Sequence, residues 1–176
     1  MSELRKANTD YPYFLTLTVA GWIDVFTRQR YCDIIIKSLK YCIENKGLLL
    51  YAYVIMPSHM HLVARHDKNK LNSVIRDFKS YTAKEIMKSI ENEQGESRRE
   101  WLIHMFKYYA KYQKQNARFM FWQKTNHPIE LNYPDIIDQK VEYIHSNPVE
   151  AGYTSDPFSW IYSSVGNCSP LQIEPV

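Results

Sequence analysis

Apolar and polar positions along the chain change period several times, and each change marks an element. Tyr13–Ala20 (YFLTLTVA) alternates apolar residues with threonine, the period-two pattern of a half-buried strand. From Arg28 to Lys46 the period becomes helical: Tyr31, Ile34, Ile35, Leu39, Cys42 and Ile43 form one stripe, and Asn45-Lys46-Gly47 supplies a stop. Leu48–Met56 reads as a second strand closed by Pro57-Ser58. His59–Arg65 (HMHLVAR) reads as a third, close enough to pair with it as a hairpin. A second helix is expected from Leu71 to Ser89, a polar loop over Glu91–Glu100, a helix from Trp101 to Gln115 and a fourth strand over Ala117–Gln123. A last helix starts at Tyr133-Pro134-Asp135, where proline and aspartate suit a first turn, and runs to Asn147 before Pro148. The tail from Gly152 is irregular and expected to pack back on the body.

The order β-α-β-β-α-β followed by a helix predicts an α+β fold. It is the ferredoxin-like split β-α-β sandwich, an antiparallel sheet with helices packed on one face plus a C-terminal helix. The 176 residues read as one domain, with a basic helical insert at about 92–115 and an irregular tail over 152–176. Fold alone assigns no chemistry.

Composition narrows the class. Apolar residues at 45% and charged residues at 23% fit a globular protein. The opening MSELRKANTDYP has no apolar core, and no run reaches the length of a membrane span, so a cytoplasmic protein is expected. Cys32, Cys42 and Cys168 form no CxxC pair, which argues against a disulfide framework and a zinc ribbon. A net charge of +3 does not by itself declare a nucleic-acid binder. Its distribution is more informative: His104–Lys124 holds five Lys or Arg, no Asp or Glu, and seven interleaved aromatics. Bases neutralise phosphates and flat rings stack on exposed nucleobases, so Lys107, Lys111, Tyr112, Lys114, Arg118 and Lys124 are candidate DNA contacts. The competing account is a helix and strand whose aromatics face the core and whose lysines face water.

Two places carry candidate chemistry. On a strand, His59 and His61 project from the same face about 7 Å apart, with Met60 and Leu62 turned the other way. Two imidazoles on a rigid strand can ligate one divalent metal. An HxH by chance is unremarkable, and no second Cys or His pair completes a closed zinc site. On the last helix, Ile137, Val141, Ile144 and Pro148 form a core stripe, and Tyr143 lies about 120° from its centre. Lys140 is one turn before Tyr143 and Asn147 one turn after, so one face offers an ammonium, a phenol and an amide. Asp138, Glu142, His145 and Ser146 take the remaining, solvent-like side. An ordinary amphipathic helix with a flanking tyrosine accounts for the same pattern.

Together these stretches resemble a family. PSHMHLV is similar to the histidine-hydrophobic-histidine (HUH) motif of single-tyrosine transposases, whose common form is close to MPNHxHLL. YIHSNPVEAG resembles the catalytic-helix signature YIxxNPVxAG of REP-associated tyrosine transposases, an insertion-sequence-200-like branch. FWQKTNHPIEL and WIYSS resemble that branch's WQ and WSS segments, so the likeness runs in order over nearly the whole chain. It implies His59, His61 and Asn147 as metal ligands and Tyr143 as nucleophile; the metal, Lys140 or a water would then help remove the phenol proton or screen the phenolate. Ser58 stands where Asn is usual. The insert at about Asn92–Gln115 is the larger departure and bears on the mode of DNA binding.

The expected activity is transesterification of single-stranded DNA beside hairpin or palindromic elements, with Mg²⁺ or Mn²⁺ and a 5′-phosphotyrosine intermediate. Related insertion-sequence enzymes act as dimers that exchange catalytic helices, and no segment of this sequence marks a second interface. The principal alternative is a catalytically inactive binder of hairpin DNA or RNA with the same fold. A histidine phosphoesterase would need a second HxT- or HxS-like motif, which the chain lacks. Tyr81, on the second helix with Glu85 rather than an amide one turn on, is the rival nucleophile.

Overall fold

Strand alternation sorts side chains onto two sheet faces, and that sorting sets where chemistry can occur. A computed structural model describes residues 10–92, 95–111, 118–165 and 169–175. Its strands are β1 (Tyr13–Thr18), β2 (Leu48–Ile55), β3 (His59–His66) and β4 (Ile129–Glu130). Its helices are α1 (Gln29–Lys46), α2 (Leu71–Asn92), α3 (Arg99–Lys111) and α4 (Pro134–Glu150), with short 3-10 turns at Ala20–Trp22, Val25–Thr27 and Pro157–Ser159. The sheet order is β2-β3-β1-β4 and every pairing is antiparallel, as the split β-α-β arrangement requires.

On one face Leu15, Leu17, Leu50, Tyr53, Ile55, Met60 and Leu62 enter the main core with Tyr31, Ile35 and Leu39 of α1 and Val74, Ile75 and Phe78 of α2. On the other, Phe14, Ala52, Val54 and Val63 form a smaller cluster with Leu131 and Ile144 of α4. A register shift between Leu50 and Ala52 lets β2 serve both faces in phase. The expected pair of helices thus covers one face, and the C-terminal helix crosses the opposite one. Helix α1 stops at Gly47, whose φ of 66° is left-handed and where a Cβ would collide with the Asp67 carboxylate.

The tail completes the outer edge of β2. Ile55 N donates to Tyr162 O at 2.9 Å, Ser164 N to Tyr53 O at 3.0 Å and Glu174 N to Leu50 O at 2.8 Å. An unpaired strand edge invites foreign pairing, and this segment satisfies it. Among the described residues no helix is long and apolar enough to cross a membrane.

Three expectations are corrected. Arg118–Gln123 is not a strand: it touches the sheet only through an isolated Val19–Trp122 bridge. Phe121 and Trp122 are both buried but enter no ladder, and the fourth strand is the two-residue β4 instead. Pro148 does not end α4, which continues to Glu150. The proline falls in the last turn, where Asn147 O still accepts from Ala151 N at 3.0 Å and Pro148 O from Tyr153 N at 2.9 Å. The expected loop Glu91–Glu100 is trimmed at both ends, since α2 runs to Asn92 and α3 begins at Arg99, and it holds a buried carboxylate: Glu96 accepts from Tyr31 Oη at 3.1 Å and lies 3.8 Å and 3.7 Å from Arg28 and Arg98. Helix α3 begins at Arg99, and residues 112–115 of the predicted helix lie outside the described residues.

Cys32 and Cys42 are buried free thiols, pushed by burial up to about 12 and about 11 respectively, and so are inert. Cys168 lies outside the described residues.

Candidate active site

The antiparallel register of β1 and β3 sets Thr16 opposite His61 and Thr18 opposite His59 on the face that α4 covers. His61 is 5% exposed. Its ring stacks on Phe14 at 5.2 Å between centroids, and its Nδ1 lies 3.0 Å from Thr16 Oγ1. The His59 ring is 4.8 Å from that of His61, and its Nδ1 lies 3.2 Å from Ser58 Oγ. Each Nδ1 thus has a hydroxyl partner, while neither Nε2 has a hydrogen-bond partner among the described residues. Burial lowers the pKa of His59. His61 is held down to about 3 by burial first, then by the charges of His59 and Lys140. Both rings are neutral at neutral pH, the form that ligates metals.

Helix α4 starts with Pro134 at its first turn and Asp135 beside it, which suit the free N–H groups and the dipole there. Ile144 and Pro148 are buried, and Ile136, Ile137 and Val141 pack half-buried on the same cluster. Tyr143 sits at the border of that contact, 38% exposed, with its ring 5.4 Å from His61 and 5.8 Å from Phe14, edge-on to both. Lys140 Nζ lies 5.0 Å from the Phe14 ring and 5.6 Å from the Tyr143 ring. Asn147 is half-buried one turn beyond Tyr143, and its side chain has no hydrogen-bond partner among the described residues. Among those residues no group of three or more His, Cys, Asp or Glu could hold a metal. A metal on the two imidazoles would therefore take its remaining donors from an amide, water or substrate oxygen.

The rival Tyr81 lines a groove between α1 and α2 with Ile34, Tyr41 and Phe78. The sheet separates it from the histidines. The basic segment divides. Phe106, Phe121 and Trp122 are core residues, with Trp122 Nε1 donating to Thr82 Oγ1 at 3.0 Å. Lys107 and Lys111 on α3 and Lys124 are exposed, and exposed Arg118 pairs with Glu91 at 2.9 Å. Tyr112 and Lys114 lie outside the described residues.

Sequence reading missed several contributors. Phe14, Thr16 and Trp22 come from β1 and the turn after it, and only the register brings them to the histidines. His145, expected on the solvent side, is half-buried with Nε2 3.0 Å from Ser164 Oγ, which also accepts from Tyr53 N at 3.0 Å. Its partner lies in the tail, where no local pattern could point to it.

Residues 13–106 match the family described as "Transposase IS200 like". That span contains both histidines and stops before α4. The fold is similar to a solved structure described as a REP-associated tyrosine transposase bound to a REP hairpin, with a TM-score of 0.65 and 17% identity over 94% of this chain and 83% of that one. No curated protein sequence matches this chain.

Proposed function

The chain belongs to the IS200-like transposase family, and from that premise we propose that it cleaves and rejoins single-stranded DNA beside hairpin elements through a covalent tyrosine intermediate. One observation carries the reading: the Tyr143 ring lies 5.4 Å from His61, although the two come from distant parts of the chain and opposite sides of the contact between α4 and the sheet. The hairpin as partner is supported by the similar structure, which holds one.

The donor set fits a divalent cation with open positions: two neutral imidazoles whose Nε2 atoms have no hydrogen-bond partner among the described residues, and the Asn147 amide one turn past the phenol. Mg²⁺ or Mn²⁺ held by His59, His61 and Asn147 would supply Lewis-acid polarisation and orientation of the scissile phosphate. Imidazole ligands favour Mn²⁺ over Mg²⁺ in affinity. A ring that ligates through Nε2 carries its proton on Nδ1, so His61 donates to Thr16 Oγ1 and His59 to Ser58 Oγ, and the two hydroxyls fix ring orientation.

Tyr143 Oη attacks the phosphorus, the bond to the 3′ oxygen breaks, and a 5′-phosphotyrosine and a free 3′-hydroxyl result. The phenol proton leaves and the departing 3′ oxygen takes one up. The Lys140 ammonium, 5.6 Å from the Tyr143 ring, lies where it can attract the phosphate charge. Attack of a 3′-hydroxyl on the phosphotyrosine reverses the step and rejoins a strand without ATP. Exposed Lys107, Lys111 and Lys124 are in the proposal backbone contacts.

The test incubates wild type and Tyr143→Phe with a labelled hairpin bearing unpaired flanks, in Mn²⁺ or EDTA. An SDS-stable adduct that requires both Mn²⁺ and Tyr143 is expected, with hairpin binding retained by Tyr143→Phe. An adduct that survives Tyr143→Phe removes the assignment. Binding with no adduct from wild type supports the non-catalytic alternative.

A further inference from the structure

One exposed ring beside the histidines has no part in the chemistry above. After β1 the chain turns through Ala20–Trp22, where Gly21 has φ 67° and Trp22 φ 57°. Glycine adopts that backbone freely; a bulky L-residue does so only when its surroundings hold it there. The hold is visible. Trp22 N donates to Val19 O at 3.0 Å, Val19 N to Ser58 O at 2.9 Å, and Ala20 N to Phe121 O at 2.7 Å. The Tyr109 ring of α3 fills the space a Cβ on Gly21 would need.

The result of this constraint is a tryptophan left 60% exposed, its ring centroid 5.3 Å from that of His59 and the two rings inclined at 67°. A tryptophan that merely covered His59 would lie over it and lose its surface to that contact. Here the two rings are steeply inclined and the tryptophan keeps 60% of its surface. The turn is tied to Ser58, whose hydroxyl bonds the same histidine, so the backbone that carries the indole is fixed relative to the histidine pair. Helix α3, which packs behind the turn, carries the exposed Lys107 and Lys111.

Resting on the strand-transfer reading, we propose that Trp22 is a stacking platform for an unpaired nucleobase of the DNA, the base adjoining the phosphate held at His59 and His61. A fixed, solvent-facing indole offers what base stacking requires, and stacking tolerates any base because each has a π-face. It excludes paired DNA at this point, since a base inside a duplex already has both faces covered. Trp22 thereby makes an unpaired nucleotide a condition for the phosphate to reach the histidines.

The test measures binding of oligo-dT and of an all-abasic oligomer of equal length to wild type, Trp22→Ala and Trp22→Phe in EDTA, with adduct formation on a flanked hairpin read in parallel in Mn²⁺. Trp22→Ala is expected to weaken oligo-dT binding about tenfold, the size of one lost base–aromatic stack. It leaves the abasic oligomer unchanged, and Trp22→Phe recovers most of the loss. Equal weakening on both oligomers would make Trp22 a structural support and overturn the proposal, as would no change on either. A base-dependent loss in Trp22→Ala without an adduct from wild type on any hairpin keeps the stacking role and removes the strand-transfer reading. An adduct formed equally well by wild type and Trp22→Ala, with equal oligo-dT binding, removes the stacking role alone.

Discussion

Acid should unfold this protein through His61 in particular. The ring is buried against Phe14 and Tyr143, and its pKa falls to about 3 in the folded chain against about 6.5 when unfolded. Because the folded value is the lower one, the unfolded chain binds the proton more tightly. The contribution of His61 to stability is whole above about pH 6.5 and declines as pH drops toward 3. At pH 4 the unfolded imidazole lies about 2.5 pH units below its pKa while the folded ring is still mostly neutral. At about 1.4 kcal/mol per unit, this removes about 3 kcal/mol of stability. That is a large share of the roughly 5–15 kcal/mol that holds an ordinary domain folded.

The assay is urea unfolding of wild type and His61→Gln in EDTA at pH 7.5 and pH 4. Glutamine keeps a polar group near Thr16 and does not titrate. Titrating groups away from the histidine pair are common to both proteins, so to first order their effects cancel in the difference. Wild type is expected to lose about 3 kcal/mol more than His61→Gln between the two pH values. Equal losses, or a larger loss in the variant, would refute the reasoning that burial holds this imidazole neutral.

Two further substitutions probe how α4 is held. Ile144→Ala empties a fully buried site between α4 and the sheet and should cost about 3 kcal/mol in urea unfolding; a loss under about 1 kcal/mol would mean the helix is not anchored there. Ser164→Ala removes the hydroxyl shared by His145 Nε2 and Tyr53 N and should cost about 1–2 kcal/mol. Amide exchange at Tyr53 should quicken in that variant, and an unchanged rate would show the bond to be dispensable.

What the sequence disclosed follows the range of the interactions concerned. Periodicity is local, so α1, the hairpin of β2 and β3, and the shared face of His59 and His61 were all legible, as was the flanking phase of Tyr143 on α4. Strand β4 was not, because two exposed residues carry no pattern and exist as a strand only through pairing with Phe14 and Tyr13. Phe121 and Trp122 misled for the opposite reason: their β-rich composition reflects burial against Phe26 and Phe106 rather than a pleat. Pro148 reads as a stop because proline breaks helix interiors; the helix ends two residues after it, held by the bonds of Ala151 N to Asn147 O and Tyr153 N to Pro148 O. The hydroxyls of Thr16 and Ser164 gain meaning only from partners 45 and 19 residues away.

The division of the site between β3 and α4 also orders events in time. A chain emerging from the ribosome at about 5–20 residues per second presents the histidine strand and most of the main core well before residue 143 is made. A product released early could fold around α1, α2 and the hairpin and carry both imidazoles, yet lack the phenol. The segment Tyr162–Ser164, which pairs with β2 and bonds His145, is synthesised later still. Assembly of the candidate site therefore waits on α4 and the tail segment that follows it, and synthesis interrupted before residue 143 yields a product with the histidine strand alone.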